Sequence, residues 1–243
     1  MTTYGLSIVV LFGAFLFLPQ YLQLVRGLSP LEAGLWGIPS QLAFIGGSMA
    51  APVLGRKMRP AVVMAIGLAC SAGGYVFFTQ IDETTSFLAY ALASIVFALG
   101  ASPVFTMTND LIIGSAPPER AGAAAGISET SAEFSGALAI AVYGSIGVAI
   151  YRRMLSDASL PGVPEEAREA ALDTLGAAVM VAAELPAQAG AALVSAAQDA
   201  FMVGLWLCAA ISTVATFALA VFVYRRLGDV RRSGDVMTNG HSV

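Results

Sequence analysis

The sequence predicts an all-α integral membrane protein of about six spanning helices. Three observations carry that reading: the composition, a succession of apolar runs long enough to cross a bilayer, and the shortness of the polar stretches between them. Of 243 residues, 57% are hydrophobic and 12% charged, roughly half the charge of a soluble domain of this size. The mean hydropathy of +0.78 agrees. A helix needs about 20 apolar residues to cross the hydrocarbon core, and runs of that kind recur at 4–25, 31–54, 61–80, 86–114, 121–151 and 200–224.

The connections are polar and brief. They are Arg26–Pro30, Arg56–Arg59, Ile81–Thr85 and Ala116–Arg120. The long exception, 155–198, has mostly alanine as its apolar residue and is interrupted at Glu184-Leu185-Pro186. Pro164 suits a helix's first turn. Leu172, Leu175 and Val179 then recur at helix spacing opposite Glu166, Glu169 and Asp173, which predicts one or two amphipathic helices on a membrane surface. The expected divisions are five spanning helices over 1–154, an extracytoplasmic amphipathic segment over 155–198, a last spanning helix over 199–227 and a cytoplasmic tail over 228–243. The first apolar run starts almost at Met1 without the basic start of a signal peptide, and upstream residues are expected.

Lys and Arg set the orientation. With the start in the cytoplasm, inner segments hold eight: Arg56, Lys57, Arg59, Arg120, Arg225, Arg226, Arg231 and Arg232. Outer segments hold four: Arg26, Arg152, Arg153 and Arg168. Both termini are therefore expected inside. The formal charge of −4 suggests no nucleic-acid partner. Cys70 and Cys208 lie within apolar runs, so neither a disulfide framework nor a metal site is indicated. The only histidine, His241, is in the polar tail, which sets histidine-based catalysis aside. Asp110 is the only embedded aspartate, one short of an aspartyl protease pair, and no repeated filter loop suggests a channel.

Ionisable residues inside spans carry the most information, because burying them is costly. Glu129 and Glu133 stand in Ile127-Ser128-Glu129-Thr130-Ser131-Ala132-Glu133. Four residues apart, they share one helical face at about 6 Å along the axis, and Glu133 lies about 18 Å from Ala121, near the membrane midplane. Two carboxylates so close in low dielectric cannot both ionise easily, so one is expected to exchange a proton near neutral pH. The charged form would attract a cation. Asp110, near an inner helix end, is a third candidate for proton coupling or cation binding, and reaching water or an arginine is an equally good reading of it. Phe15, Phe17, Gln20, Tyr21, Gln23, Trp36, Gln41, Phe105, Met107 and Tyr143 are candidates to line a greasy cavity, since aromatic faces attract organic cations. Pro19, Pro39, Pro52 and Pro103 fall within spans, which tolerate and bend at proline. The Gly122/Gly126 pair favours close helix packing.

Several stretches together resemble one family. Leu18-Pro19-Gln20-Tyr21-Leu22-Gln23-Leu24-Val25 with Gly27-Leu28-Ser29-Pro30-Leu31-Glu32-Ala33-Gly34 is similar to the first helix of the second half of major facilitator drug exporters. Asn109 through Gly122 and Glu129 through Gly147 resemble the fourteen-helix EmrB/QacA-type branch. The resemblance implies a six-helix C-terminal half of a major facilitator fold, with a long extracytoplasmic segment before the last helix. It further implies export of lipophilic or quaternary ammonium cations in exchange for protons, in a bacterial plasma membrane, with no cofactor besides the proton gradient. It assigns proton coupling or cation binding to Glu133 and Glu129. The family's cytoplasmic signature is only echoed in Gly55-Arg56-Lys57-Met58-Arg59-Pro60, which lacks the acid and second glycine. Since substrate sites in this fold lie between two halves, a missing N-terminal half or a partner chain is expected. A major facilitator transporter of another small molecule is the alternative.

Overall fold

A computed structural model describes residues 2–227 and is helical throughout that range. The first apolar run becomes α1 (Thr2–Phe12), a 3-10 turn (Ala14–Phe17), the short α2 (Leu18–Gln20) and a π-helical turn (Tyr21–Val25). Long helices α3 (Pro30–Lys57), α4 (Pro60–Phe78), α5 (Phe87–Gly114) and α6 (Ala121–Asp157) follow. Two short helices, α7 (Glu165–Ala171) and α8 (Leu175–Ala182), precede α9 (Ala187–Leu227). Five stretches are long and apolar enough to cross a membrane: Thr3–Val25, Pro60–Phe78, Phe87–Gly114, Pro118–Asp157 and Ala187–Arg226. The expected sixth, α3, has the length, at 28 residues. Its glycines, Ser40, Gln41 and Ser48 keep it from matching the others in apolarity.

Backbone chemistry explains the irregular first span. Pro19 has no N–H to give and its ring crowds the preceding turn, so regular helix cannot continue. In lipid, every carbonyl so released needs an internal donor. The Leu18 N–H takes the Phe15 carbonyl that Pro19 leaves, and where α1 stops at Phe12 the Tyr75 hydroxyl, fully buried on α4, donates to the Leu11 carbonyl at 2.6 Å. The Gln20 and Gln23 amides donate back to Leu16 and Pro19 at 3.3 Å. The run ends at Gly27, whose φ of +67° suits a residue without a Cβ. Ser29 and Glu32 then open α3 as a reciprocal capping box.

Along the bundle, α4 is central. It packs against α5 on one side and α9 on the other, while α1 and α6 meet each other and α9. A Cβ on Gly67 would lie 2.5 Å from the Gly100 carbonyl oxygen, and Gly100 in turn faces the Gly67 carbonyl. Only paired glycines allow α4 and α5 to come so close. The connection between these helices is held from both sides. Tyr21 donates to the Asp82 carbonyl and the Trp206 indole to Ile81, each at 2.6 Å. Bonds from Thr84 and Thr85 hold the exposed Asp82 carboxyl below the usual carboxylate range.

By contrast, α3 is attached chiefly through α5. Its other side carries apolar residues from Leu31 to Val53 at steps of three and four, all of them exposed, with Leu42 at 63% and Met49 at 74%. That spacing makes one continuous apolar stripe along the helix, of the kind that meets lipid or another helix.

The last helix differs from the expected boundaries. It begins at Ala187 and runs 41 residues, so 187–198 belongs to the helix and not to the preceding segment. Alanine, the best helix former, fills this stretch and carries the helix past its apolar part. Similarly, α6 runs 37 residues, well over the length a bilayer requires. These two overhangs carry α7 and α8. The Tyr151 hydroxyl donates to Ala171 at 2.9 Å, Arg168 donates to Ser156 and Ala158, and Arg152 pairs with Asp173 at 3.1 Å. α7 follows directly on Pro164, and Thr174 caps α8. The buried stripe is Ala171, Leu175, Ala178 and Ala182. Val179, expected on that stripe, is exposed, because the break at Asp173–Thr174 shifts the helical phase. The tail 228–243, with His241, lies outside the described residues.

The Gly67→Val variant is expected to lower stability by about 1–3 kcal/mol through forced separation of α4 and α5. Denaturant unfolding in detergent micelles measures it.

Candidate functional site: an aromatic groove ending at Glu133

Three grooves run end to end along the first span. The first, about 410 Å³, is lined by Tyr4, Ile8, Phe12, Phe105, Glu133, Gly136 and Ile140. The second, about 440 Å³, shares Phe12 and Phe105 and adds Leu11, Phe15, Ser40, Gln41, Phe44 and Phe97. The third, about 340 Å³, shares Phe15, Ser40 and Gln41 and continues past Leu18, Leu22, Gln23, Ala33, Gly37 and Tyr90. Shared residues set the grooves in line as one path, with α1 and its continuation on one wall; opposite it stand α6 and Phe105 in the first groove and α3 and α5 in the other two.

Helical spacing builds the aromatic wall. Tyr4, Ile8, Phe12 and Phe15 fall at i, i+4, i+8 and i+11, one face of α1 and the turn after it. Phe105 sits at the junction. Its ring meets Tyr4 at 6.5 Å and Phe12 at 6.4 Å, both edge to face, and Phe44 at 6.0 Å. Phe15 stacks on Phe97 at 5.5 Å. These rings present π faces and edges to a path with few polar groups, a wall suited to a flat or greasy cation.

At one end the carboxylates appear. Glu133 lines the first groove, and Glu129 lies one turn along the same exposed face of α6. Ser128, buried between them and the core, donates to the Asn109 side-chain oxygen at 3.2 Å, and Tyr4 neighbours Ser128 and Glu129. Of the large apolar residues exposed on α6, Ile140 (55%) shares the carboxylates' face, while Ile127 and Phe134 are turned a quarter-turn or more away from it. Both carboxylates are exposed, and an ionised carboxylate at membrane depth is costly without a compensating partner. Asp110 is exposed near the end of α5, beside Asn109.

The cavity candidates divide. Phe15, Gln41 and Phe105 line the path, with Gln23 at its far part. Gln20 is exposed outside it and bonds to Leu16, because it repairs the bent backbone. Tyr21, Met107 and Tyr143 are packed in the core instead. Tyr21 is a strut to Asp82, Met107 fills the space beside Gly55, and the Tyr143 ring lies against Gly13. Phe17, also in the core, packs on Phe201 at 6.0 Å. Trp36 stacks on Phe87 at 4.9 Å, beyond the third groove. Tyr4, Phe12 and Phe44 were not among the expected lining residues. For Tyr4 and Phe12 the signal was present, in their shared helical face with Phe15.

The pattern of the Major Facilitator Superfamily matches residues 1–140, more than half of the chain. The chain belongs to the Major Facilitator Superfamily. It is similar to the multidrug efflux pump LfrA of Mycolicibacterium smegmatis, 34% identical over 219 residues, which covers 90% of this chain and 43% of LfrA. The tetracenomycin C resistance and export protein of Streptomyces glaucescens is 28% identical over 88% of the chain and 41% of its own length. The methyl viologen resistance protein SmvA of Salmonella typhimurium is 31% identical over 81% and 39%. The chain thus spans about two fifths of the length of the curated relatives it matches. Membership of this transporter family, with an all-helical membrane fold, separates the chain from intramembrane enzymes.

The Phe105→Ala variant is expected to widen the path where the first two grooves meet. It should lower stability by about 2–3 kcal/mol, since it removes three ring contacts along with buried area. Unfolding in detergent checks the loss.

Proposed function

We propose that this chain is the C-terminal half of a proton-coupled multidrug exporter of the fourteen-helix type, with lipophilic or quaternary ammonium cations as cargo. The observation that carries this reading is the continuity of an aromatic groove with Glu133. An aromatic wall holds an organic cation by its π faces, and a carboxylate at the end of the wall supplies the countercharge. Protonation and cation binding then compete for one group, and that competition is the exchange an antiporter needs. The names of the relatives, efflux pump and resistance protein among them, agree with export. The exposed faces of α3 and α6 are the surfaces that an N-terminal half would cover. The distribution of Lys and Arg supports both termini in the cytoplasm, and the resemblance to bacterial drug exporters supports the plasma membrane.

In the complete transporter, Glu133→Gln should reduce proton-driven export of monovalent cations at least tenfold, a loss of about 1.4 kcal/mol or more of coupling, with insertion unchanged. Glu129→Gln should cost less, as a residue nearer the membrane surface, and chiefly affect divalent cations. Substrate-induced proton release in vesicles reads both. Wild-type release from Glu133→Gln would make the pair structural.

Orientation is tested separately. With Cys70 and Cys208 replaced, a single cysteine at Ser159 should react with an impermeant maleimide from outside intact cells. One at Ser115, at the opposite end of the bundle, should not.

A further inference from the structure

Beyond the third groove, at the end of the path far from Glu133, three side chains from three elements form a ladder. Phe87, the first residue of α5, takes the Trp36 indole of α3 at 4.9 Å with an interplanar angle of 15°. The Arg26 guanidinium lies over the same ring, 4.4 Å from its centroid. Two groups this close to one small ring need its two faces, so Phe87 is the middle layer. Arg26 is steered there by hydrogen bonds to the Thr85 carbonyl and to the Tyr21 hydroxyl. All three side chains are only half-buried. The ladder adjoins the path without lining it: the third groove is lined by Ala33 and Gly37, neighbours of Trp36 along α3, and by Tyr90, one turn after Phe87 on α5.

A planar cation already sits on the Phe87 face of this stack, so that face has the geometry that a flat organic cation requires. The neighbouring Asp82 carboxylate is engaged by Thr84 and Thr85, so the affinity here is π-based and weak. We propose that Phe87 and Trp36 form a second organic-cation site at the far end of the path, occupied here by the chain's own Arg26, which a cargo cation displaces. A tethered cation of this kind lowers the affinity of the site for cargo in proportion to its own occupancy, which favours release over retention at that end. The proposal rests on the cation-export reading only for the class of cargo.

The chain has two tryptophans, Trp36 and Trp206, so Trp206→Phe leaves Trp36 as a reporter within the ladder. The full chain in detergent, carrying Trp206→Phe, is titrated with methyl viologen, an aromatic dication that quenches a nearby indole by electron transfer, here across the Phe87 ring, at constant ionic strength. Acrylamide, a neutral quencher, reports general exposure. Arg26→Ala should tighten saturable quenching by about two- to fivefold, equivalent to roughly 0.5–1 kcal/mol, with acrylamide quenching unchanged. Arg26→Lys, which keeps a cation on the tether, should stay near the parent value, and Phe87→Leu should abolish saturation. If Arg26→Ala gives equal or weaker affinity, or a rise matched by acrylamide, Arg26 is only a clamp and the proposal fails. Should Arg26→Ala not fold, saturable quenching by Phe87→Leu at parental affinity overturns it just as well. The titration measures binding without transport. Wild-type export by Glu133→Gln would therefore sink the carboxylate mechanism and leave this site standing, and the reverse also holds.

Discussion

Every backbone carbonyl in the hydrocarbon core needs a donor from within the protein, and this requirement organises the first span and what surrounds it. Pro19 prevents a regular helix there. The chain answers with a 3-10 turn, a π-helical turn and side chains that return hydrogen bonds to the backbone. Tyr75 is the far partner in this arrangement, which obliges α4 to lie against the bend with its ring fully buried. The glycine pair Gly67/Gly100 then lets α5 close on α4. The bent span, α4 and α5 are thus one unit, and the aromatic path lies along the side of that unit that α4 does not cover.

Polar side chains in this protein therefore serve two economies. Gln20, Tyr21 and Tyr75 are consumed by the backbone. Glu129 and Glu133 are not, and they stand exposed on the face of α6 that also carries Ile140. An unsatisfied bend would cost stability, whereas an unsatisfied carboxylate creates affinity for whatever cation or proton arrives. The separation of these roles is spatial: structural hydroxyls face the packed core between α4 and α9, and carboxylates face the open side of α6.

Outside the apolar part, α6 and α9 continue as a pair of stalks that carry α7 and α8. Their contacts are mainly hydrogen bonds to backbone carbonyls and one exposed ion pair, and a pair of that kind contributes little by itself. The buried stripe of Ala171, Leu175, Ala178 and Ala182 is what seats the two short helices. The same end of the bundle holds Arg26 and its aromatic partners, so structured segments surround the far mouth of the path.

Hydropathy determined the spanning segments, because a bilayer demands about 20 apolar residues per crossing whatever the neighbours are. It also determined that Glu129 and Glu133 share a face, since helical spacing is local. The start of α9 was not legible, because alanine continues a helix through a segment whose polarity suggests a surface element. Which aromatic residues line the path was legible only in part: Phe15 and Phe105 do, while Tyr21, Met107 and Tyr143 are buried elsewhere. Composition makes these residues equivalent, and only the neighbours assign them. The carbonyl of Asp82, the absent Cβ of Gly13 and the space beside Gly55 come from distant parts of the chain. Periodicity says which side of a helix a residue is on; packing decides what meets it there.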